Sequence, residues 1–279
     1  MIVALNTSHN ELFEAEPPYG TEDLLRFIQK IYTFGFKALQ VDLVRYLSSI
    51  EWNVVKNTLD ELHLMRNVHN GRLYDAKKFA LSEEEYLKTQ ERIHEGILIA
   101  KKLDAPIVSI HPPLFESIAS ISKPLQLKAQ ERFYKLLDEE LSFARQNHIR
   151  IALESFCYPP FIFNGLYNYM DFISSFTREE LYVLLDIGHV YQQGIDPLEA
   201  IRLFNQRLAD VHVHDATLNK DLSKATHLPL GVGTVNFSTI VHSLRQLNYQ
   251  NFLTLEIRAN EKALIQSQQN LLQVLAETP

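Results

Sequence analysis

The chain is expected to fold as an α/β protein of the (β/α)8 (TIM) barrel class, one domain over residues 1–279. Three observations predict this. Short apolar runs alternate eight times with amphipathic stretches, the strand–helix order of a parallel sheet covered by helices. No linker or shift in composition divides the chain into two units. Six successive apolar runs, the third to the eighth, close on a histidine or a carboxylate: His69, His111, Glu154, Asp186, His212 and Glu256. In a barrel of this class the C-terminal strand ends form one face, so the topology alone would bring those side chains together. His, Asp and Glu make up roughly one residue in six, and six such closures in a row would arise by chance on the order of one time in a hundred.

Ile2-Val3-Ala4-Leu5-Asn6 reads as the first strand. After a Pro17-Pro18-Tyr19-Gly20 turn comes an amphipathic helix from about Thr21 to Thr33, ended by Gly35. Phe36 to Leu43 is the second strand, Trp52 to Leu62 a helix, and Leu64 to His69 the third strand; a loop with Gly71 and Asp75 follows. Ser82 with Glu85 three residues later is a capping box that opens a helix to about Leu103. Pro106 to His111 is the fourth strand, stopped by Pro112-Pro113. The next helix, Pro124 to about Asn147, carries Leu125, Leu136, Leu137, Leu141 and Ala144 near helical spacing and leads into the fifth strand, Ile149 to Glu154.

An aromatic loop follows, with Phe156, Tyr158, Phe161, Phe163, Tyr167 and Tyr169 interrupted by Pro159, Pro160 and Gly165. Such clusters are packing elements or, directly above a site, a substrate wall. Leu181 to Asp186 is the sixth strand, Pro197 to Phe204 a helix, and Leu208 to His214 the seventh strand. A long loop runs to Gly233. Phe237 to Leu247 is a helix, Asn251 to Ile257 the eighth strand, and a last helix ends the chain. In the eighth strand Leu253, Leu255 and Ile257 share one face, and Thr254, Glu256 and Arg258 the other. Glu256 would then look into the barrel.

Composition narrows the chemistry. With 46% apolar and 10% aromatic residues a large core is available. No apolar run approaches the ~20 residues of a membrane span, and Ile2 to Leu5 lacks the basic lead of a signal peptide, so the expected address is the cytoplasm. A single cysteine, Cys157, excludes a disulfide framework and zinc-ribbon or iron–sulfur sites, leaving N and O ligands for any metal. The net charge of −7 argues against a broadly basic nucleic-acid surface, although a groove carrying metal ions can still hold phosphates. Asp186 followed three residues on by His189 is the nucleus of a divalent metal site, with a helix cap as the plainer alternative. His212 and His214 lie two apart, so the spacing leaves open which of them is the ligand. His227, ahead of Gly231 and Gly233, is by default a surface histidine.

Taken together, Ala152-Leu153-Glu154, Leu185-Asp186-Ile187-Gly188-His189, His212-Val213-His214-Asp215, His227-Leu228-Pro229-Leu230-Gly231-Val232-Gly233 and Leu255-Glu256 resemble the xylose-isomerase-like TIM-barrel superfamily. It holds sugar and sugar-phosphate isomerases and epimerases together with endonuclease-IV-like enzymes, and the resemblance spans nearly the whole chain. It implies that Glu154, Asp186, His212 and Glu256 hold the catalytic divalent ion, Zn, Mn, Mg or Co, with His212 favoured over His214 by the family's His-x-x-Asp pattern ending at Asp215. It also implies that His189 and His227 bind substrate in an epimerase or extra zinc in an endonuclease.

Two departures qualify the resemblance. The endonuclease pattern places an Asp two residues before His227, where this chain has Ala225, and its signature after the fifth strand is replaced by Ser155-Phe156-Cys157-Tyr158. The ketose epimerases carry a second glutamate six residues after Glu154, where Pro160 stands here. The reading is a divalent-metal-dependent isomerase or epimerase of a small sugar or sugar phosphate, working by proton transfer through a metal-stabilised enediolate. Glu154 and Glu256 would move the proton, His189, His227 and His111 would bind substrate, and Arg258 would neutralise charge or a phosphate. The alternatives are a multi-zinc phosphodiesterase or abasic-site nuclease using His69, His111, His189 and His227 as further ligands, and a non-catalytic metabolite-binding relative.

Overall fold

In a computed structural model that describes residues 1–8, 12, 17–46, 49–177, 179–218 and 226–277, eight parallel strands close in chain order into a barrel. They are β1 (Ile2–Asn6), β2 (Ala38–Asp42), β3 (Met65–Asn70), β4 (Ile107–Ile110), β5 (Arg150–Glu154), β6 (Leu181–Asp186), β7 (Leu208–Val213) and β8 (Phe252–Leu255). Around them lie α1 (Thr21–Thr33), α2 (Trp52–Glu61), α3 (Ala76–Leu81), α4 (Glu83–Lys102), α5 (Lys123–Gln146), α6 (Leu166–Ser174), α7 (Ile187–Gln192), α8 (Pro197–Phe204), α9 (Phe237–Gln246) and α10 (Glu261–Glu277). This is a single (β/α)8 barrel domain. Among the described residues no helix is long and apolar enough to cross a membrane.

Period-two alternation sorts each strand into two cores. Leu39, Val41, Val68, Val108, Leu153, Leu185, Val211 and Leu253 face outward and pack with the apolar stripes of the helices. Ala4, Ala38, Ile107, Ala152, Leu184, Ala209 and Phe252 form a separate apolar cluster inside the barrel. Its small alanines leave room for Ile107, Leu184 and Phe252 to fill the lumen. Further along the same inward rows come buried Gln40, Asn67, Asp210 and Thr254, and then the histidines and carboxylates of the strand ends.

One irregularity aims the seventh strand. Val183 pairs with Leu208 but Leu184 pairs with Asp210, so Ala209 is an extra residue in β7. Leu208 packs outward, and simple alternation would send Asp210 and His212 outward with it. The bulge turns both into the lumen.

Three short helices depart from the sequence expectation. α3 occupies what reads as a loop, opened by Asp75, whose carboxylate accepts the Lys78 N–H at 2.9 Å. α6 takes up Tyr167 and Tyr169 of the aromatic loop, after Gly165 at φ +101°. α7 starts directly on Asp186. The eighth strand is shorter than its apolar pattern, ending at Leu255. Glu256 stays pinned beyond it, donating its backbone N–H to Val213 O at 3.3 Å.

Candidate metal centre

Asp186 ends β6 and caps α7, so one residue has two tasks. Its Oδ1 accepts the His189 backbone N–H at 2.7 Å, and its own N–H donates to Ser155 Oγ at 3.0 Å. The cap reading is met through Oδ1, and the carboxylate has a second oxygen to offer. Glu154, the last residue of β5, is buried beside it at 1% exposure.

His212 and Glu256 complete the same face. Nδ1 of His212 lies 2.9 Å from Glu256 Oε2 and 3.7 Å from Asp186 Oδ2. Asp186, His212 and Glu256 bring one ligand-type atom each within 4.8 Å of one another, and so do Glu154, Asp186 and His189. Ser8 Oγ donates to Glu256 Oε1 at 3.0 Å.

A second group adjoins the first through Glu154. Its Oε2 lies 2.9 Å from His111 Nε2 and 3.1 Å from His69 Nε2, and the two imidazole nitrogens are 3.1 Å apart. On the far side of its ring, His69 Nδ1 is 3.4 Å from Asp42 Oδ2. Asp42 closes β2 and Asn6 closes β1, so those strands also end in polar side chains turned to this face. Reading the second strand through Leu43 hid Asp42 as an internal residue, although its position matches that of Glu154 and Asp186.

The Val213-flanked pair of histidines separates in three dimensions. His214 lies past the end of β7, where its Nδ1 accepts the His227 backbone N–H at 2.9 Å, so Nε2 carries the proton and donates to Asp186 Oδ1 at 2.9 Å. Both of its nitrogens are engaged. Gly188 exists to admit this ring, because a Cβ there would sit 1.9 Å from His214 Cε1. Asp215 accepts N–H groups from Ala216 at 2.9 Å, Gly231 at 2.9 Å and Val235 at 3.0 Å, which folds the glycine loop back on itself. A Cβ on Gly233 would lie 2.3 Å from Asp215 Oδ1.

His227 is a correction to the surface reading. It is buried at 6% exposure, and its Nδ1 donates to the Glu256 carbonyl at 3.0 Å. His189 stands across from it, ring centroids 5.0 Å apart, with a buried Nδ1 that has no hydrogen-bond partner among the described residues. Arg258 is exposed and lies beyond β8, so strand alternation does not carry it into the buried cluster. Ala225 lies outside the described residues. The aromatic loop divides: Phe163 and Tyr169 pack into the core, whereas Phe156, stacked on Phe161 at 4.1 Å, stands edge-on to His111 at 4.9 Å.

Charge is balanced within this cluster rather than by solvent. Burial pushes Glu154 and Asp186 up, but His111 beside Glu154 and His189 and His214 beside Asp186 hold both carboxyls below the usual carboxylate range. Burial pulls His212 and His69 down, and the carboxylates outweigh it, raising His212 and placing His69 at about 10. Burial keeps His189 below its ordinary value. His212 and His69 are thus held charged by the acids around them. A divalent cation is the other species that would satisfy the same acids, and an imidazole nitrogen grouped with carboxylate oxygens fits that donor set.

Residues 28–274 match the family profile described as xylose isomerase-like TIM barrel. The chain belongs to this family. Within it, the sequence is 24% identical over 245 residues to an uncharacterised protein of Methanocaldococcus jannaschii, covering 84% of this chain and 79% of that protein. Among solved structures, a D-tagatose 3-epimerase-like protein superposes with a TM-score of 0.80 at 21% identity, over 99% of this chain and 97% of the other. The IolI protein, solved with a bound zinc atom, gives a TM-score of 0.78 at 14% identity, over 100% of this chain and 99% of the other. At these identities the likeness shows the fold.

Proposed function

We propose that this member of the xylose isomerase-like family is a divalent-metal-dependent isomerase or epimerase of a sugar or sugar phosphate. The observation that carries the reading is the buried His212, whose Nδ1 faces the carboxylates of Asp186 and Glu256 with Glu154 alongside. Glu154, Asp186, His212 and Glu256 would hold the ion. Zn, Mn, Mg and Co all suit such mixed N and O donors. Bound there, the ion supplies Lewis acidity toward adjacent carbonyl and hydroxyl oxygens and so acidifies the C–H beside the carbonyl.

The protein's own groups do the rest. Glu154 and Glu256 take the proton from that carbon and return it, and the hydroxyl of Ser8 orients Glu256 for this by occupying its Oε1. His189 offers its unpartnered Nδ1 to a substrate oxygen. His227 and His111 line the approach, and Arg258 supplies positive charge from the exposed rim. Epimerase and zinc-bound neighbours of the same fold support this reading. The test is metal content of the purified protein, followed by incorporation of solvent deuterium into D-tagatose, D-psicose and their phosphates. Turnover that survives exhaustive chelation would refute the metal dependence.

A second reading has its own observation. His69, His111 and Glu154 form another ligand group next to the first, which a two- or three-metal phosphodiesterase would use and a one-metal epimerase would not. Metal stoichiometry and cleavage of an abasic-site duplex distinguish the two.

A further inference from the structure

Below the strand-end cluster lies a polar layer whose hydrogen bonds all run in one direction. Asp210, fully buried on β7, accepts the Val211 backbone N–H at 2.7 Å, the Asn67 amide at 2.6 Å, the Thr254 hydroxyl at 2.8 Å and the Gln40 amide at 2.9 Å. A carboxylate ringed by donors leaves Gln40 one choice, to turn its NH2 toward Asp210. The amide oxygen then faces the other way, where it accepts from the Asn6 amide and lies 2.8 Å from His212 Nε2. Oxygen brings no hydrogen to that contact, so His212 Nε2 must carry the proton. Nδ1, the atom that faces Asp186 and Glu256, is then the nitrogen that gives up its proton when an ion takes its lone pair.

We propose that Gln40, locked by Asp210, is the positioning residue that holds His212 in its Nε2–H tautomer and orientation, with Nδ1 free to ligate a divalent cation. This rests on the reading of His212 as a ligand. Imidazole ligands generally need an acceptor on their second nitrogen, and loss of such a partner lowers metal affinity by about 10- to 100-fold. What is unusual is that the acceptor is a neutral amide, which can present either end. Only the buried carboxylate one strand layer below makes the choice.

Three proteins test the chain: wild type, Gln40→Met, which keeps the volume and removes the acceptor, and the exchange Gln40→Glu with Asp210→Asn. In the exchange the acceptor for Nε2–H is retained, and the new amide donates where Gln40 did. Zn2+ and Co2+ affinities are measured by calorimetry, and the His212 ring protons by nitrogen-15 histidine spectra with and without zinc. Gln40→Met should bind Zn2+ about 10- to 100-fold more weakly, and the exchange should bind within a few-fold of wild type. A role in packing alone predicts the opposite order, because Met fills the space while the exchange moves a charge next to His212.

Native affinity in a folded Gln40→Met, or a wild-type His212 without a proton on Nε2, would overturn the proposal. If Gln40→Met fails to fold, the exchange and the wild-type spectra still decide, since weak binding by a folded exchange variant would also refute it. A wild type that binds neither ion, yet keeps the Nε2 proton on His212, would remove the ligand reading and leave the hold of Gln40 on the ring standing.

Discussion

His214 donates from Nε2 to Asp186 Oδ1 at 2.9 Å, the oxygen that already accepts the His189 backbone N–H at 2.7 Å. With Oδ1 held by two donors, Oδ2 is the atom left toward His212. Asp186→Asn must therefore keep its carbonyl oxygen on His214 and His189 and turn its NH2 toward the cation position. We expect metal occupancy to fall further than the ~10- to 100-fold of an outer-sphere change, while the cap of α7 and the fold survive. Elemental analysis and calorimetry of the variant check this, and native affinity would remove Asp186 from the ligands.

Gly188→Ala tests the same ring from the other side. The added methyl carbon would meet the His214 imidazole at 1.9 Å, and that ring is fixed at both nitrogens. Overpacking of this kind costs about 1–3 kcal/mol, so the denaturation midpoint of the metal-free variant should drop accordingly. An unchanged midpoint would mean that His214 does not lie over Gly188.

Such relationships show where the sequence is readable. The limits of β6 and α8 coincide with their apolar patterns, and the residues closing the third to eighth runs do share one face. What escaped was short or irregular. α3 and α7, six residues each, are too brief for helical periodicity to register. Asp210 and Gln40 are polar residues inside apolar runs, and counting alternation from Leu208 turns Asp210 the wrong way, because the extra residue Ala209 leaves no mark in composition. The choice between His212 and His214 was open for a related reason: β7 stops at Val213, so His214 obeys the geometry of a turn.

Metal-free protein should be most stable in mildly acidic solution. His69 sits at about 10 against an ordinary 6.5: burial pulls it down, and Asp42 and Glu154 more than compensate. A raised histidine contributes its stability fully below its unfolded value of 6.5 and loses it as pH climbs toward about 10. Asp186 and Glu154, buried yet lowered by the histidines around them, contribute above the ordinary carboxylate range and lose it as pH falls through their folded values. Thermal melts of chelated protein should therefore peak at about pH 5–6.5 and decline toward pH 9. A flat profile, or a maximum at pH 9, would show that His69 is not charged in the folded state.

Binding of the ion should release protons. His212 is held above its ordinary value by Glu256 and Asp186 against the opposing effect of burial, so its Nδ1 must be deprotonated before it can ligate. Apparent Zn2+ affinity should then rise with pH across the neutral range. Calorimetry at one pH in buffers of different ionisation enthalpy measures the released protons directly, and a value of zero would place the ion away from His212.

Glu256→Gln separates the two enzyme readings. The amide can turn its oxygen toward the cation and its NH2 toward Ser8 Oγ, a hydroxyl that can accept where it now donates to Oε1 at 3.0 Å, but it cannot take a proton. If the work is proton transfer at carbon, the variant should retain its metal and lose exchange of the substrate's carbon-bound hydrogen with deuterated water by about 10² to 10⁴-fold. If the work is phosphodiester hydrolysis, cleavage of an abasic-site duplex should instead fall on His69→Ala or His111→Ala, the residues that would hold a second ion with Glu154. The count of ions is the sharper measurement. His189, His214 and His227 bring nitrogens within 4.8 Å, yet His214 spends one nitrogen on the His227 backbone and the other on Asp186. Among the described residues, a third zinc there would have two histidines and too few protein ligands for a closed site. One or two ions per chain with deuterium wash-in supports the isomerase; three fully occupied zinc ions with duplex cleavage would overturn it, and would require His214 to let go of Asp186.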